Sequence, residues 1–474
     1  MSLFTPPRPA TAPEKRSTLT QRIALLRSGL GTFREGSYGQ KMGRHGFRTL
    51  PFFRRRWIFT VRDPELVREV LVRRAEDFPK SGLMDAMLRA LTGYSIFVSN
   101  GEIWGRQRRL IDPALEQARV RDVFARMLEA ATVATARMEA LADTGEPVRV
   151  DMEMTRFAAD VIFRTIFSEP ISDAAADRVI AAFEVFQGVA YAHGMLGLAK
   201  APSRILPGWG RARRAARIIR KAIDEPLRRL ADHAAGRPTP DNDILAALIG
   251  GVDPVTGTSF DGDELLDQIA MLFLAGHETS ASALAWSLYL MAEAPDVQAR
   301  VQAEADAVLG DDTPAFEHMK RMGFTRDVFR EAMRLYPPVA FLARDCPAGD
   351  RLGKKDIPPG SVVMVSPWLS HRQAERWSEP HAFDPDRFGC PEGKAAMAGG
   401  YFPFSVGPRV CPGAAFALQE AVLVLAMLSR RLRFEADPEW TPVPVARLTL
   451  RSANGVRLRV FRRGAVFRGA SNDK

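Results

Sequence analysis

The residue types with the clearest chemistry gather in Phe402–Glu420, FPFSVGPRVCPGAAFALQE. Cys411 stands in a turn just ahead of an apolar helical run, with Phe404, Gly407 and Arg409 before it and Gly413 after it. A cysteine that ligates a buried metal must be a thiolate. A helix N-terminus, backbone N–H groups and a cationic neighbour each favour that state. Glycine at 407 and 413 lets backbone approach a flat ligand where a Cβ would collide. Phe404 is placed to cover the sulfur from water, and Arg409 to pair with an acidic group. Cys390, in CPEG, is also followed by proline and glycine, but no Phe-x-x-Gly-x-Arg precedes it. It and Cys346 read as packing cysteines.

A second group interrupts the richest apolar stretch, Ile269–Ala294, at AGHETS, Ala275–Ser280. Gly276 costs about 1 kcal/mol relative to alanine inside a helix. Thr279 and Ser280 can each bond back to the carbonyl four residues earlier, which predicts a locally widened turn of the kind that marks functional sites. In REAMRLYPP, Glu331 and Arg334 stand three apart on a helix that Pro337 and Pro338 terminate, so they point the same way. In EIWGRQRR, Trp104 and Arg108 lie one helical turn apart and share a face.

The spacing Phe-x-x-Gly-x-Arg-x-Cys-x-Gly resembles the haem-binding signature of the cytochrome P450 monooxygenases, where thiolate-ligated haem is established chemistry. The other motifs follow in that family's order between residues 104 and 413. The resemblance implies haem b with the Cys411 thiolate as axial iron ligand. Trp104, Arg108, Arg344 and Arg409 would hold its propionates, since two buried carboxylates need cationic partners. Phe404 and Gly413 would lie against it from the cysteine loop, and Ala275 and Gly276 from the long helix, beside a gap that admits oxygen. The resemblance joins Arg387, in FDPDRF, to Glu331 and Arg334 as a structural network. It makes AGHETS the oxygen-activation motif, with His277 at the variable place and facing away from the iron. Thr279 would hold oxygen or an ordered water, and Glu278 would relay protons from solvent. By family position Ile96, Phe97, Leu272, Val339, Phe341 and Leu448 line the substrate pocket, with other apolar residues of 82–98; a hydrophobic substrate follows.

The implied reaction inserts one atom of O2 into a hydrophobic organic molecule. The haem module uses up the chain, so electrons are expected from a separate ferredoxin or flavodoxin and its reductase. Three alternatives keep the haem: a peroxygenase, an isomerase and a non-catalytic haem-binding protein. None of them requires the Glu278–Thr279 pair.

Helical periodicity predicts the elements that carry these residues at 118–142, 151–167, 172–190, 211–235, about 263–293 and 295–309. A strand and then a helix are expected in Phe59–Lys80. After Pro337 come short β-like runs, Ser361–Val365, Val445–Leu450 and Val456–Phe461, around one apolar helix, Ala414–Leu432. The fold class is mainly α with small β-sheets (α+β). The resemblance adds the P450 fold, with the long central helix over the haem and the cysteine loop below it. Residues 1–20 read as a disordered, basic, Pro-rich lead-in, residues 236–243 as a surface loop, and 21–474 as a single domain.

The 474 residues, 46% of them hydrophobic, suffice to bury a core without disulfides. Three cysteines with no CxxC pair exclude a disulfide scaffold and suit a reducing compartment. No apolar leader opens the chain, and His277, Glu278 and Thr279 disfavour a spanning reading of the apolar stretch; a cytoplasmic protein without a transmembrane anchor is expected. The net charge is +10, yet residues 1–60 hold 12 Lys and Arg against Glu14 and Glu35, and residues 451–474 hold 7 against Asp473. The body between them is net acidic, which argues against nucleic acid as a partner. A basic N-terminus is instead a candidate contact for an anionic membrane surface.

Overall fold

The computed structural model describes residues 3–8, 42–47, 56–197, 208–234, 243–310 and 312–464. The lead-in from 9 to 20, nearly all of the surface loop at 236–243 and the end of the basic tail lie outside the described residues. Ten helices set the frame: α1 Gly82–Thr92, α2 Gly101–Ile111, α3 Phe124–Ala142, α4 Val150–Phe167, α5 Asp173–Gly197, α6 Trp209–Ala234, α7 Gly262–Glu293, α8 Pro295–Leu309, α9 Gly323–Leu335 and α10 Ala414–Arg431. Their starts and stops follow local chemistry. Asp261 accepts from the Glu264 N–H (2.8 Å) while Glu264 accepts from the Asp261 N–H (3.3 Å), a reciprocal cap that opens α7. Pro295 sits in the first turn of α8, and the Pro337–Pro338 pair follows the end of α9.

The strands are β1 Met42–Phe47, β2 Arg56–Val61, β3 Val148–Arg149, β4 Leu342–Cys346, β5 Asp350–Leu352, β6 Lys355–Ile357, β7 Ser361–Val365, β8 Leu432–Ala436, β9 Pro444–Ala446, β10 Leu450–Ser452 and β11 Arg457–Arg462. One sheet runs β1-β2-β7-β4, with β2 and β7 parallel and Ile58 opposite Val362. The parallel pair brings a strand from early in the chain beside one that lies roughly 300 residues later in sequence, a pairing no local pattern announces. A second sheet is β3-β11-β8, and β5-β6 and β9-β10 are hairpins.

Four segments differ from the expected pattern, one of them α5, which runs to Gly197 where an end at 190 was expected. The helix at 118–142 is two pieces, Gln117–Asp122 and Phe124–Ala142. The helix after β2 is α only over Pro64–Arg68 and continues as a π turn, Glu69–Arg73. The run Val445–Leu450 folds back on itself as β9 and β10, since the Arg447 N–H bonds the Thr449 carbonyl (3.0 Å) and closes a turn.

Residues 3–8, expected as part of the disordered lead-in, are docked. The Phe383 N–H donates to the Phe4 carbonyl (2.8 Å), the Tyr336 hydroxyl donates to the Pro7 carbonyl (2.6 Å), and the Phe4 ring meets Tyr289 edge-on. Apolar Phe4 and buried Pro6 anchor them. The main core runs from Ile58 to Val460 around α4, α7 and α10, and a smaller one under the first sheet includes Phe59, Phe78, Val363 and Phe402. Among the described residues no helix is long and apolar enough to cross a membrane.

Candidate active site

The cysteine loop is a closed turn ahead of α10. The Cys411 N–H donates to the Phe404 carbonyl (2.9 Å), and the Val410 N–H to the Gly407 carbonyl (3.0 Å). Gly407 has φ +79°, and a Cβ there would lie 2.2 Å from the Leu71 carbonyl oxygen. Its glycine is therefore required by the π turn packed beneath it. Gly413 is the opposite case. A Cβ there would meet only Cys411 Sγ, at 3.9 Å, so the space over it is open. Desolvation pushes the Cys411 thiol up, while the Gly413 N–H and the charge of Arg108 pull it down. The same side chain is exposed by accessible surface. The two observations agree if the sulfur faces an interior cleft, ringed by protein yet open on one side.

Helix α7 presents a matching open face. It is buried from Gln268 to Leu274 and again from Ser280 to Ala292, but Ala275, Gly276 and Thr279 stay half-exposed on one side. Leu272 lies on that side too and is buried. The Thr279 hydroxyl donates to the Ala275 carbonyl (2.6 Å), whereas Ser280 turns away and donates to the Glu420 carboxyl of α10. The expected widened turn is absent: α7 is α-helical throughout, because a single back-bond is accommodated within an otherwise intact ladder. Gly276 has a packing cause. A Cβ there would lie 2.9 Å from Ile162 Cδ1 and Cγ1, so α4 packs directly against the glycine.

Four cations converge beside the loop. Around the Trp104 ring stand Arg409 (5.1 Å), Lys80 (5.5 Å) and Arg108 (6.0 Å), and Arg344 lies close enough to depress Lys80. Arg108 is engaged by Asp112 (2.8 Å) and the Val410 carbonyl (2.8 Å), and Arg409 by the Ala75 carbonyl (2.6 Å). Arg344 reaches its own neighbour's carbonyl, Ala343 (3.1 Å). The Nε atoms of Arg344 and Arg409 are buried with no partner. Desolvation and then the three arginines push Lys80 down to about 6, and desolvation and Arg409 push Arg344 down to about 10. Such uncompensated positive charge at partly buried sites calls for an anionic partner. A dicarboxylate held beside a reachable cysteine answers it, so these residues fit haem. Lys80 had no motif around it; the signal was a lone cation directly ahead of the segment expected to line the pocket.

The structure brings Glu331, Arg334 and Arg387 together. Arg334 donates to both Glu331 oxygens (2.7 Å each) and Arg387 Nε to Oε1 (2.9 Å). Arg334 also donates to the carbonyls of His371, Pro380 and Ala382, so the pair is buried with its donors answered. His277 packs between Phe273 and Phe183, on another side of α7 from Thr279. Glu278 also points elsewhere, towards Gln187, Thr449 and Arg451. Of the expected pocket residues, Ile96 is buried and Phe97, Val339, Phe341 and Leu448 are half-buried. The Ile96 N–H is fixed by Gln268 of α7 (3.1 Å). Leu83, Met87 and Leu88 are buried in the same core cluster as Ile96 and Leu272, and Tyr94 is exposed with Arg89 over its ring.

The family model described as Cytochrome P450 matches residues 49–456. Cyclooctatin synthase of Streptomyces melanosporofaciens is 34% identical over 79% of this chain and 80% of its own length. Cyclooctat-9-en-7-ol 5-monooxygenase of the same organism is 32% identical over 80% of each. The chloroplastic protein LUTEIN DEFICIENT 5 of Arabidopsis thaliana is 30% identical over 85% of this chain and 70% of its own. With the cysteine turn, the cation cluster and the long helix inside the matched span, the chain belongs to the cytochrome P450 family and is a haem-dependent monooxygenase.

Proposed function

We propose that Cys411 is the axial ligand of a haem b and that the enzyme inserts one oxygen atom of O2 into a hydrophobic small molecule, drawing electrons from a separate ferredoxin or flavodoxin with its reductase. The observation that carries this reading is the reachable Cys411 thiol beside a cation cluster in which Arg344 Nε and Arg409 Nε are buried without partners. When bound, the haem supplies dioxygen binding and activation, with the thiolate favouring cleavage of the O–O bond. The chain's residues do the rest. The Gly413 N–H and Arg108 stabilise the thiolate. Lys80, Arg108, Arg344, Arg409 and Trp104 hold the two carboxylates. Thr279 offers a hydroxyl on the half-exposed face of α7, and Glu278 stands next in sequence as a proton donor. Glu331, Arg334 and Arg387 act in folding and cofactor retention. Ile96, Phe97, Leu272, Val339, Phe341 and Leu448 exclude water and favour an apolar substrate. A relative whose name states oxygenation of cyclooctat-9-en-7-ol makes a largely hydrocarbon alcohol a first compound to try.

The test is spectroscopic. The reduced, CO-bound protein should show the thiolate-type Soret band, and Cys411→Ser should lose that band at unchanged helix content. A normal band in the variant would overturn the ligand assignment.

A further inference from the structure

The carboxyl of Asp267, in the first half of α7, serves two other parts of the chain at once. Its Oδ2 accepts from the Tyr94 N–H (2.8 Å) and its Oδ1 from Arg220 of α6 (2.7 Å). The same guanidinium nitrogen donates to the Leu91 carbonyl (3.0 Å) in the last turn of α1. Gly93 closes α1 at φ +52°, and a Cβ there would overlap the Asp267 carboxyl, so glycine is required where the carboxylate enters. Gln268 repeats the contact one residue on and accepts from the Ile96 N–H (3.1 Å). On the far side, Gln107 of α2 donates to the Tyr94 carbonyl (2.8 Å) and accepts from Ser99 (2.6 Å), and Lys80 donates to the Ile96 carbonyl. Within the turn itself, the Val98 and Ser99 N–H groups share the Ser95 carbonyl (3.0 Å each). The segment 93–99 is thus held through its backbone by side chains of other elements.

We propose that Asp267 is a positioning residue for substrate selection. By holding the Tyr94 amide and Arg220 together, it locks the segment 93–99, α1, α6 and α7 into one block and fixes how far Ile96 and Phe97 give way to a bulky substrate. The inference rests on the reading of Ile96 and Phe97 as pocket wall. A turn with few bonds of its own takes its mobility from the side chains that hold its amides. Here the holding carboxylate is itself held. The Arg220 and Asp267 side chains are 25% and 20% exposed, so their attraction is screened less than that of a surface pair. The Tyr94 and Ile96 amides are already bonded to the protein, so the wall presents hydrocarbon to a ligand and selects there by shape. Without the carboxyl, the Tyr94 N–H loses its acceptor and Arg220 its counter-charge, and three elements come apart at one point. Asp267 touches no reacting atom.

The experiment uses the holoenzyme with Asp267→Ala, Asp267→Asn, Arg220→Met, Ile96→Ala and Phe97→Ala. The probes are three nitrogen ligands of haem iron that differ in bulk: imidazole, phenylimidazole and triphenylmethylimidazole. Each is titrated by the Soret shift, and imidazole serves as the control for the haem itself. Amide hydrogen exchange follows the segment 93–99. Asp267→Ala should keep the imidazole affinity and the CO-bound band. It should speed exchange at 93–99 at least about tenfold and raise the affinity for triphenylmethylimidazole relative to phenylimidazole at least about fivefold. Asp267→Asn, which still accepts from Tyr94, and Arg220→Met, which leaves the carboxyl unpaired, should move both readouts the same way by less. These two carry the test if the alanine variant does not fold. If all three exchange and select like wild type while Ile96→Ala and Phe97→Ala change the ratio, the clamp is wrong and the pocket wall stands. If Ile96→Ala and Phe97→Ala leave the ratio untouched, the wall itself is misassigned. Faster exchange at an unchanged ratio would also overturn the proposal, and so would imidazole affinity falling in step with the other two.

Discussion

At the scale of single residues, the site depends on groups whose surroundings contradict their usual state. Lys80 is the clearest. With no anion beside it, its ammonium is already half discharged near pH 6. Two carboxylates would restore its charge, so haem uptake should carry a proton with it. Haem affinity should then fall as pH rises from about 6 towards 9, by up to about tenfold per unit, and the slope should flatten in Lys80→Met. The rate of haem loss to a scavenging globin across that range reads both; parallel slopes would remove Lys80 from the site. Thr279→Ala should keep haem yet lower product per electron pair at least several-fold, with hydrogen peroxide making up the difference. An unchanged yield would count against its role. Cys411 and its flanking residues could be singled out because their spacing is itself chemical. Lys80 and Asp267 could not, since each acquires its meaning from partners far along the chain, Lys80 from Arg344 and Arg409 and Asp267 from Tyr94.

At the scale of elements, α7 and α4 meet where Gly276 admits Ile162. Gly276→Ala gains about 1 kcal/mol of helix propensity but forces an overlap that costs about 1–3 kcal/mol. The single variant should therefore lose up to about 2 kcal/mol in urea unfolding. Pairing it with Ile162→Ala should show favourable coupling in a double-mutant cycle; strict additivity would mean the two do not meet. The glycine was visible in the sequence, and its cause was not. A helical glycine reads the same whether it faces a ligand or another helix. The same limit explains Gly407, whose partner is the Leu71 carbonyl over 300 residues earlier. Most long helices, such as α7 behind its Asp261 cap, were legible to within a residue or two, but α5 runs to Gly197 where an end at 190 was expected. The turn inside Val445–Leu450 was not, because six apolar-rich residues fit one strand as well as two.

At the scale of the whole molecule, the excess positive charge sits at the ends of the chain while the body is net acidic. With a net charge of +10 overall, the chain should attract an acidic electron donor less as salt rises, since the Debye length falls from about 30 Å at 0.01 M to about 3 Å at 1 M. We expect the second-order rate of reduction by an acidic ferredoxin to drop at least several-fold over that interval in stopped flow; a flat response would point to an apolar docking surface. Composition placed the early basic residues in a loose arm, yet residues 3–8 pack on Tyr289, Tyr336 and Phe383. Pro-rich segments look alike when free and when docked, because what holds them is the distant surface they land on.

The Ser280–Glu420 contact has a consequence for the working range of the enzyme. Burial pushes the Glu420 carboxyl up to about 8, so near neutrality it keeps its proton and the junction of α7 with α10 carries no charge. In the unfolded chain the same group ionises near its ordinary value of 4.5. This group's contribution to folding is therefore full below that value, drains away as the medium turns alkaline, and is lost once the interior proton departs near pH 8. Part of this oxygenase's tolerance towards base thus resides in its dry centre, in one acid wedged between α7 and the helix that follows the cysteine turn.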